Sequence, residues 1–159
     1  IYTVYESIAD KFKDNTLTSN FGEYYYLGKC IERKSLKLLP KLGSYLDWII
    51  CGYGERPFFC IFSALGIIII FSFLYLITGI DTDGRTILYT FSNMYTWNIS
   101  KFIKDFNEAL NLSVGMFAGV GIDNGKPTEI GYLVANLEML IGIVLMGVGV
   151  GTLVRKVIR

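Results

Sequence analysis

Apolar and polar positions alternate in several distinct rhythms along this chain. From Ile1 to Asn15 apolar residues recur at helical spacing, with Val4, Ile8 and Phe12 flanked by Tyr5 and Ala9, which predicts an amphipathic helix. Asn15-Thr16 and Thr18-Ser19-Asn20 carry turn and N-cap chemistry, and a second helix is expected over 19–35 with the aromatic run Tyr24-Tyr25-Tyr26. The pair reads as a cytoplasmic helical hairpin over 1–35. It is similar to one tetratricopeptide-type unit, and a plain packing hairpin joining an upstream domain to the membrane accounts for it more simply. Over 36–56, Lys37 and Lys41 mix with Leu36, Leu38, Leu39, Leu42, Leu46, Trp48, Ile49 and Ile50, then Cys51-Gly52-Tyr53-Gly54-Glu55-Arg56-Pro57 makes a turn. Trp and Lys at the edge of an apolar block suit a membrane headgroup region, which predicts an interfacial helix with Pro40 near its start or at a kink. A soluble amphipathic helix is the alternative.

Phe58 to Ile80 is then 23 residues without a charge. At helical rise this covers about 34 Å, enough to cross a hydrocarbon core of about 30 Å. It starts too far into the chain and runs too long for a secretory signal. The linker beyond it is polar at Asp81, Asp83, Gly84 and Arg85, aromatic at Tyr89, Phe91, Tyr95 and Trp97, and helical from about Ser100 to Phe117. Ile130 to Val154 is the second apolar block, broken by the single charge Glu138 and succeeded at once by Arg155, Lys156 and Arg159. The expected fold is an all-α membrane protein whose membrane domain covers 57–159, with transmembrane helices at 58–80 and 130–154 on either side of the linker.

Composition supports this layout. Apolar residues make up 52% and charged residues 18%, below the ordinary charged share of about 25%, and mean hydropathy is +0.44. The net charge of +1 gives no basic field for nucleic acid. The chain has no histidine, hence neither the commonest general base nor the commonest metal ligand, and no nucleophile–base pair marks an enzyme. Cys30, Cys51 and Cys60 lack metal-site spacing and read as free buried thiols. Eleven Lys/Arg flank the two spans on the terminal sides and four lie in the linker, which predicts cytoplasmic termini and an external linker. A chain that opens inside a helical pattern and stops just after a span is expected to be part of a longer protein, with regulatory segments upstream or downstream.

The segment before the second span carries the candidate chemistry. Ala109 to Ile122 is apolar and small but only 14 residues long; as a helix it reaches about 21 Å, too short to cross and typical of a re-entrant segment. Gly119-Val120-Gly121-Ile122-Asp123 cannot continue a helix comfortably, because glycine tolerates left-handed angles and aspartate tolerates them better than most residues. Such backbone survives at membrane depth only where protein buries it or where it lines water. One carbonyl strand cannot surround an ion, whereas four copies about an axis can.

At these residues the chain resembles the two-transmembrane pore-loop cation channels of the potassium-channel superfamily. Ala109 to Phe117 falls on their pore helix, Gly119 to Asp123 on their filter, and Gly142 on their inner-helix hinge glycine, which implies a pore domain over 57–159 with a turret at 81–104 and a pore helix and filter at 105–124. The turn Gly52-Tyr53-Gly54-Glu55-Arg56-Pro57 is similar to bacterial members that carry pentapeptide repeats upstream. The resemblance implies a homotetramer in the plasma membrane, multi-pass, conducting K+ or Na+ without cofactors and gated by inner-helix motion. The chain departs from the family's Thr-Val-Gly-Tyr-Gly filter. Gly119 replaces the threonine, Ile122 the aromatic and Asp123 the last glycine, which implies weak selectivity among monovalent cations and a ring of Asp123 carboxylates able to bind divalents at the outer mouth. Glu138 costs at least about 2.5 kcal/mol if ionised in lipid, so it is expected to face protein, either supporting the filter by hydrogen-bonding behind it or to the pore helix of a neighbouring subunit, or as a protonated structural carboxyl satisfied by nearby backbone or Asn136. A two-span anchor or signalling subunit without a pore is the competing reading.

Overall fold

The computed structural model describes residues 2–15, 18–82, 84–90, 98–121 and 125–158. Thr16, the side chains of Thr18 and Ser19, Asp83, the aromatic residues Phe91, Tyr95 and Trp97, and the filter candidates Ile122 and Asp123 lie outside the described residues. The chain is mostly helical. In order it forms α1 (Tyr2–Asp14), α2 (Thr18–Ser35), α3 (Leu38–Cys51), a 3-10 turn (Gly52–Gly54), α4 (Pro57–Thr78), β1 (Ile80–Thr82), β2 (Arg85–Ile87), α5 (Ile99–Phe117), β3 (Lys126–Pro127) and α6 (Gly131–Ile158). Two of these, α4 and α6, are long and apolar enough to cross a membrane. Pro57 opens α4, a position where its missing N–H is no loss, and α6 continues past Val154 through the basic residues.

The expectation of an all-α fold needs one correction. A small antiparallel sheet of order β2-β1-β3 joins the ends of the linker. Ile80 pairs with Ile87, and Asp81 pairs with both Thr86 and Lys126. β-Branched Ile80, Thr82, Thr86 and Ile87 flank the Asp83-Gly84 dipeptide, which is a strong short hairpin signal.

The chain divides into two compact units. The first comprises Ile1–Ser63 and Met146–Arg159. In it α1 packs on α2 through Phe12, whose ring stacks 5.2 Å from that of Tyr24. The three consecutive tyrosines point to different neighbours, as a 100° step per residue requires. Tyr24 faces α1, Tyr25 lies under Lys29 and Arg155, and Tyr26 accepts a 2.8 Å hydrogen bond from Trp48 of α3. Arg33 lies over the rings of Tyr45 and Trp48. α3 therefore turns its Tyr45–Trp48 side toward α2, while Leu38, Leu39, Leu42, Leu46 and Ile49 stay exposed. In the adjoining turn, Tyr53 has a left-handed φ of 58°, costing about 1–2 kcal/mol for a residue with a Cβ; a 2.8 Å bond between its hydroxyl and Ser44 holds it. The cysteines are all free, but only Cys60 is buried. Cys30 and Cys51 are half-buried, and the Cys51 thiol is pushed above its ordinary value by desolvation, so it stays protonated and unreactive near neutrality.

The second unit is Ala64–Leu145. Its core is Tyr75, Leu76, Ile80, Ile87, Ala109, Leu112 and Ala135, contributed by α4, the sheet, α5 and α6. On α6 the buried positions Gly131, Ala135, Glu138, Gly142 and Leu145 recur at alternating steps of four and three, one narrow stripe. Leu133, Leu137, Leu140 and Val144 on the remaining surface are exposed. In lipid such apolar faces gain little from mutual burial, so packing contacts and satisfied polar groups fix the arrangement.

Candidate functional site

α5 organises the site. Its N-cap is Asn98, whose side chain accepts from the Ser100 N–H at 3.0 Å. The helix then buries Asp105, Ala109, Leu112 and Ser113, spaced to share one face. Phe102 and Phe106 stack beside that face, with Tyr89 edge-on to Phe102 at 5.7 Å and Phe73 5.1 Å from Phe106.

At the N-terminal half of α5 an ionic cluster ties the helix to the sheet. Arg85 of β2 pairs with Glu108 at 2.6 Å and lies 3.4 Å from Asp105. Asp105 is buried and accepts a 2.7 Å bond from the Tyr89 hydroxyl. Desolvation first, and the hydrogen bond to Asp105 second, push the Tyr89 phenol up to about 12, against a smaller opposing pull from Arg85.

At the C-terminal half, three helices meet around Glu138. This carboxyl is fully buried, with Tyr75 of α4 and Ser113 of α5 equally inaccessible. Tyr75 donates to Glu138 Oε2 at 2.6 Å, and Glu138 Oε1 shares a short hydrogen bond with Ser113. Ser113 Oγ also lies 2.9 Å from the Ile68 carbonyl, to which Ser72 donates at 2.7 Å. Ser113 Oγ is the donor in both contacts and a serine hydroxyl has one hydrogen, so that hydrogen is shared between Glu138 Oε1 and the Ile68 carbonyl. Glu138 is buried against protein, and the helix it reaches is α5 of its own chain. Its partners are Tyr75 and Ser113; Asn136 is exposed.

α5 ends in a Schellman cap: the Gly119 N–H bonds to the Met116 carbonyl and the Val120 N–H to the Gly115 carbonyl, each at 3.0 Å. Gly121 N–H joins the same Gly115 oxygen at 3.2 Å. Gly119 and Gly121 have φ of 71° and 72°, with open space where a Cβ would stand. Glycine is required there by conformation and not by crowding. Val120 between them is 83% exposed.

Gly142 is required for the opposite reason. A Cβ there would collide with the Phe117 carbonyl at the end of α5 and come within 3.0 Å of its carbon. α6 passes through Gly142 as uninterrupted helix, so what the structure gives this glycine is close approach. Gly147 and Gly151, farther along α6, meet no atom within 4 Å of a built Cβ.

Of the residues singled out by sequence, the fold brings Glu138 and Gly142 against α5 and puts Gly119, Val120 and Gly121 at its tip. Tyr75, Ser113, Asp105, Arg85 and Tyr89 escaped the sequence reading. Ser72 and Tyr75, polar groups inside an uncharged apolar run, were the signal that could have pointed there. Compared with protein-family models, with curated proteins and with solved structures, the chain matches none.

Proposed function

We propose that this chain is a subunit of a homotetrameric cation channel, with α5 as a re-entrant pore helix and Gly119 to Asp123 as the ion-binding filter. The observation that carries the reading is the depth at which α5 ends. Ser113 meets Ile68, ten residues before the end of α4, and Phe117 meets Gly142, eleven residues after the start of α6. By helical rise these points lie about 15–17 Å from the linker ends of the two spans, near the midplane of a hydrocarbon core about 30 Å thick. The chain then turns at Gly119–Gly121 and returns to Lys126–Pro127, which pairs with β1 next to the end of α4. Entry and exit on one side are what a re-entrant segment requires.

Irregular backbone at mid-depth needs shielding or a water-filled path, and symmetry mates around an axis supply both. Carbonyls of Gly119 to Ile122 would replace part of the hydration shell of K+ or Na+, and four Asp123 carboxylates would draw cations to the outer mouth and hold a divalent there. Selectivity is weak because the filter has no threonine hydroxyl and no aromatic brace. The Lys/Arg bias supports cytoplasmic termini in a plasma-membrane protein, and the exposed leucines of α3 support an interfacial helix in the lipid headgroup layer. Gating belongs to motion of α6, with Gly142 as the point where it bears on the filter support.

A two-span anchor without a pore is favoured by one observation, the Schellman cap, which gives Gly119 a purely local reason. Reconstitution into planar bilayers separates the readings. Cation current with a reversal potential that shifts only slightly between Na+ and K+, and reduced by Asp123→Asn and Gly121→Ala, is expected. No cation current under any condition of voltage, calcium or pH, with chemical crosslinking that stops at a monomer or dimer, rejects the channel.

A further inference from the structure

Within the first unit, a cavity of about 750 Å3 opens where α4 begins and α6 ends. Arg56, Arg155 and Lys156 line it together with Glu23, Glu55 and the ring of Tyr26. The three cations are held differently. Arg155 lies 3.2 Å from Glu55 and 5.8 Å from the Tyr25 ring. The Arg56 guanidinium stacks on Tyr26 at 4.3 Å. Among the described residues neither Arg56 nor Lys156 pairs with a carboxylate. Stacking engages the face of a guanidinium and leaves its N–H donors free along the edge, the geometry that grips a phosphate.

We infer that this cavity binds a phosphate-bearing anion through Arg56, Arg155 and Lys156. Three cations face two carboxylates, and the volume is that of an ordinary small-molecule site. Phe58, 67% exposed, lies on the same wall and offers an apolar surface to an acyl chain. Basic groups beside a span attract anionic headgroups. An anion on Arg155 competes with Glu55 for the same guanidinium. Binding therefore loosens the ion pair between the end of α6 and the turn before α4. That regulatory consequence rests on the channel reading; the binding itself does not.

The test counts bound lipid by native mass spectrometry on the full purified chain, offered phosphatidylglycerol and phosphatidylcholine in equal amounts. Several-fold preferential retention of phosphatidylglycerol is expected, lost in the Arg155→Gln/Lys156→Gln double variant and kept in Lys34→Gln, which lies outside the cavity. Glu55→Gln removes the competing carboxylate and should raise retention, and this variant carries the test if the double variant does not fold. Inorganic phosphate that displaces the lipid assigns the site to free phosphate, and failure to displace it assigns the site to the headgroup. If wild-type protein retains both lipids equally and inorganic phosphate does not raise its thermal midpoint, the inference is overturned. A preference that survives the double variant, or is unchanged in Glu55→Gln, overturns it too. The readout needs no current, so it stands or falls separately from conduction.

Discussion

Glu138 and its two hydroxyl partners act as one unit. Tyr75 needs an acceptor, and Ser113 can give its one hydrogen wholly to the Ile68 carbonyl when a donor faces it. Glutamine has both groups in the same positions, so Glu138→Gln is expected to leave stability nearly unchanged. Glu138→Ala strands two buried hydroxyls and should cost about 1–3 kcal/mol for each unsatisfied group, read by denaturation in mixed micelles. Equal stability of the two variants would remove the hub. Tyr89 makes a pH prediction. Its folded value of about 12 lies above the ordinary 10, so the neutral phenol is favoured in the fold. The stabilisation is fully present below about pH 10 and is lost as pH climbs through about 12. Near-ultraviolet titration of wild type minus Tyr89→Phe should show one tyrosine ionising late; a difference midpoint at about 10 argues against the Asp105 contact.

At the scale of elements, the contact that fixes α5 against α6 is backbone on backbone. Side chains can rotate away from an intruding methyl, but the Phe117 carbonyl cannot. Gly142→Ala is therefore expected to destabilise by about 1–3 kcal/mol through overpacking and, on the proposed channel reading, to alter conduction. Gly147→Ala, with open space around it, should change stability by no more than about 0.5 kcal/mol. Chemical denaturation of the pair decides the matter, and similar losses in both would point to a general effect of alanine in α6. The sheet adds a second constraint. By pairing β3 with β1 it anchors the returning limb of the linker beside the end of α4, so the tip of α5 is tethered from both sides.

For the whole molecule, the testable property is its arrangement across the bilayer. Single cysteines introduced in a background with Cys30, Cys51 and Cys60 changed to serine report sidedness. A membrane-impermeant maleimide added to intact cells is expected to label Lys101→Cys and to reach Lys34→Cys only after permeabilisation. Labelling of both from outside contradicts the proposed cytoplasmic location of the termini and, with it, the proposed direction in which α5 enters. The same experiment bears on the anion cavity, because Arg155 and Lys156 would then lie at the outer surface.

The apolar runs by themselves determined the two long helices and their ends to within a few residues, because an uncharged stretch of spanning length has few other stable conformations. Helical periodicity likewise gave α1, α2, α3 and α5, and the glycine run gave the turn at Gly119–Gly121. The sheet was legible in the Asp83-Gly84 hairpin signal but lay hidden inside a polar linker. What only the tertiary structure decided is which residues meet across the sequence: Tyr75 and Ser113 with Glu138, Arg85 and Tyr89 with Asp105, Phe117 with Gly142. Periodicity reports which face of an element is buried, but the partner on that face depends on depth and rotation. In a chain whose apolar surface is indifferent between lipid and protein, depth and rotation are set by a handful of polar pairs and close glycine contacts.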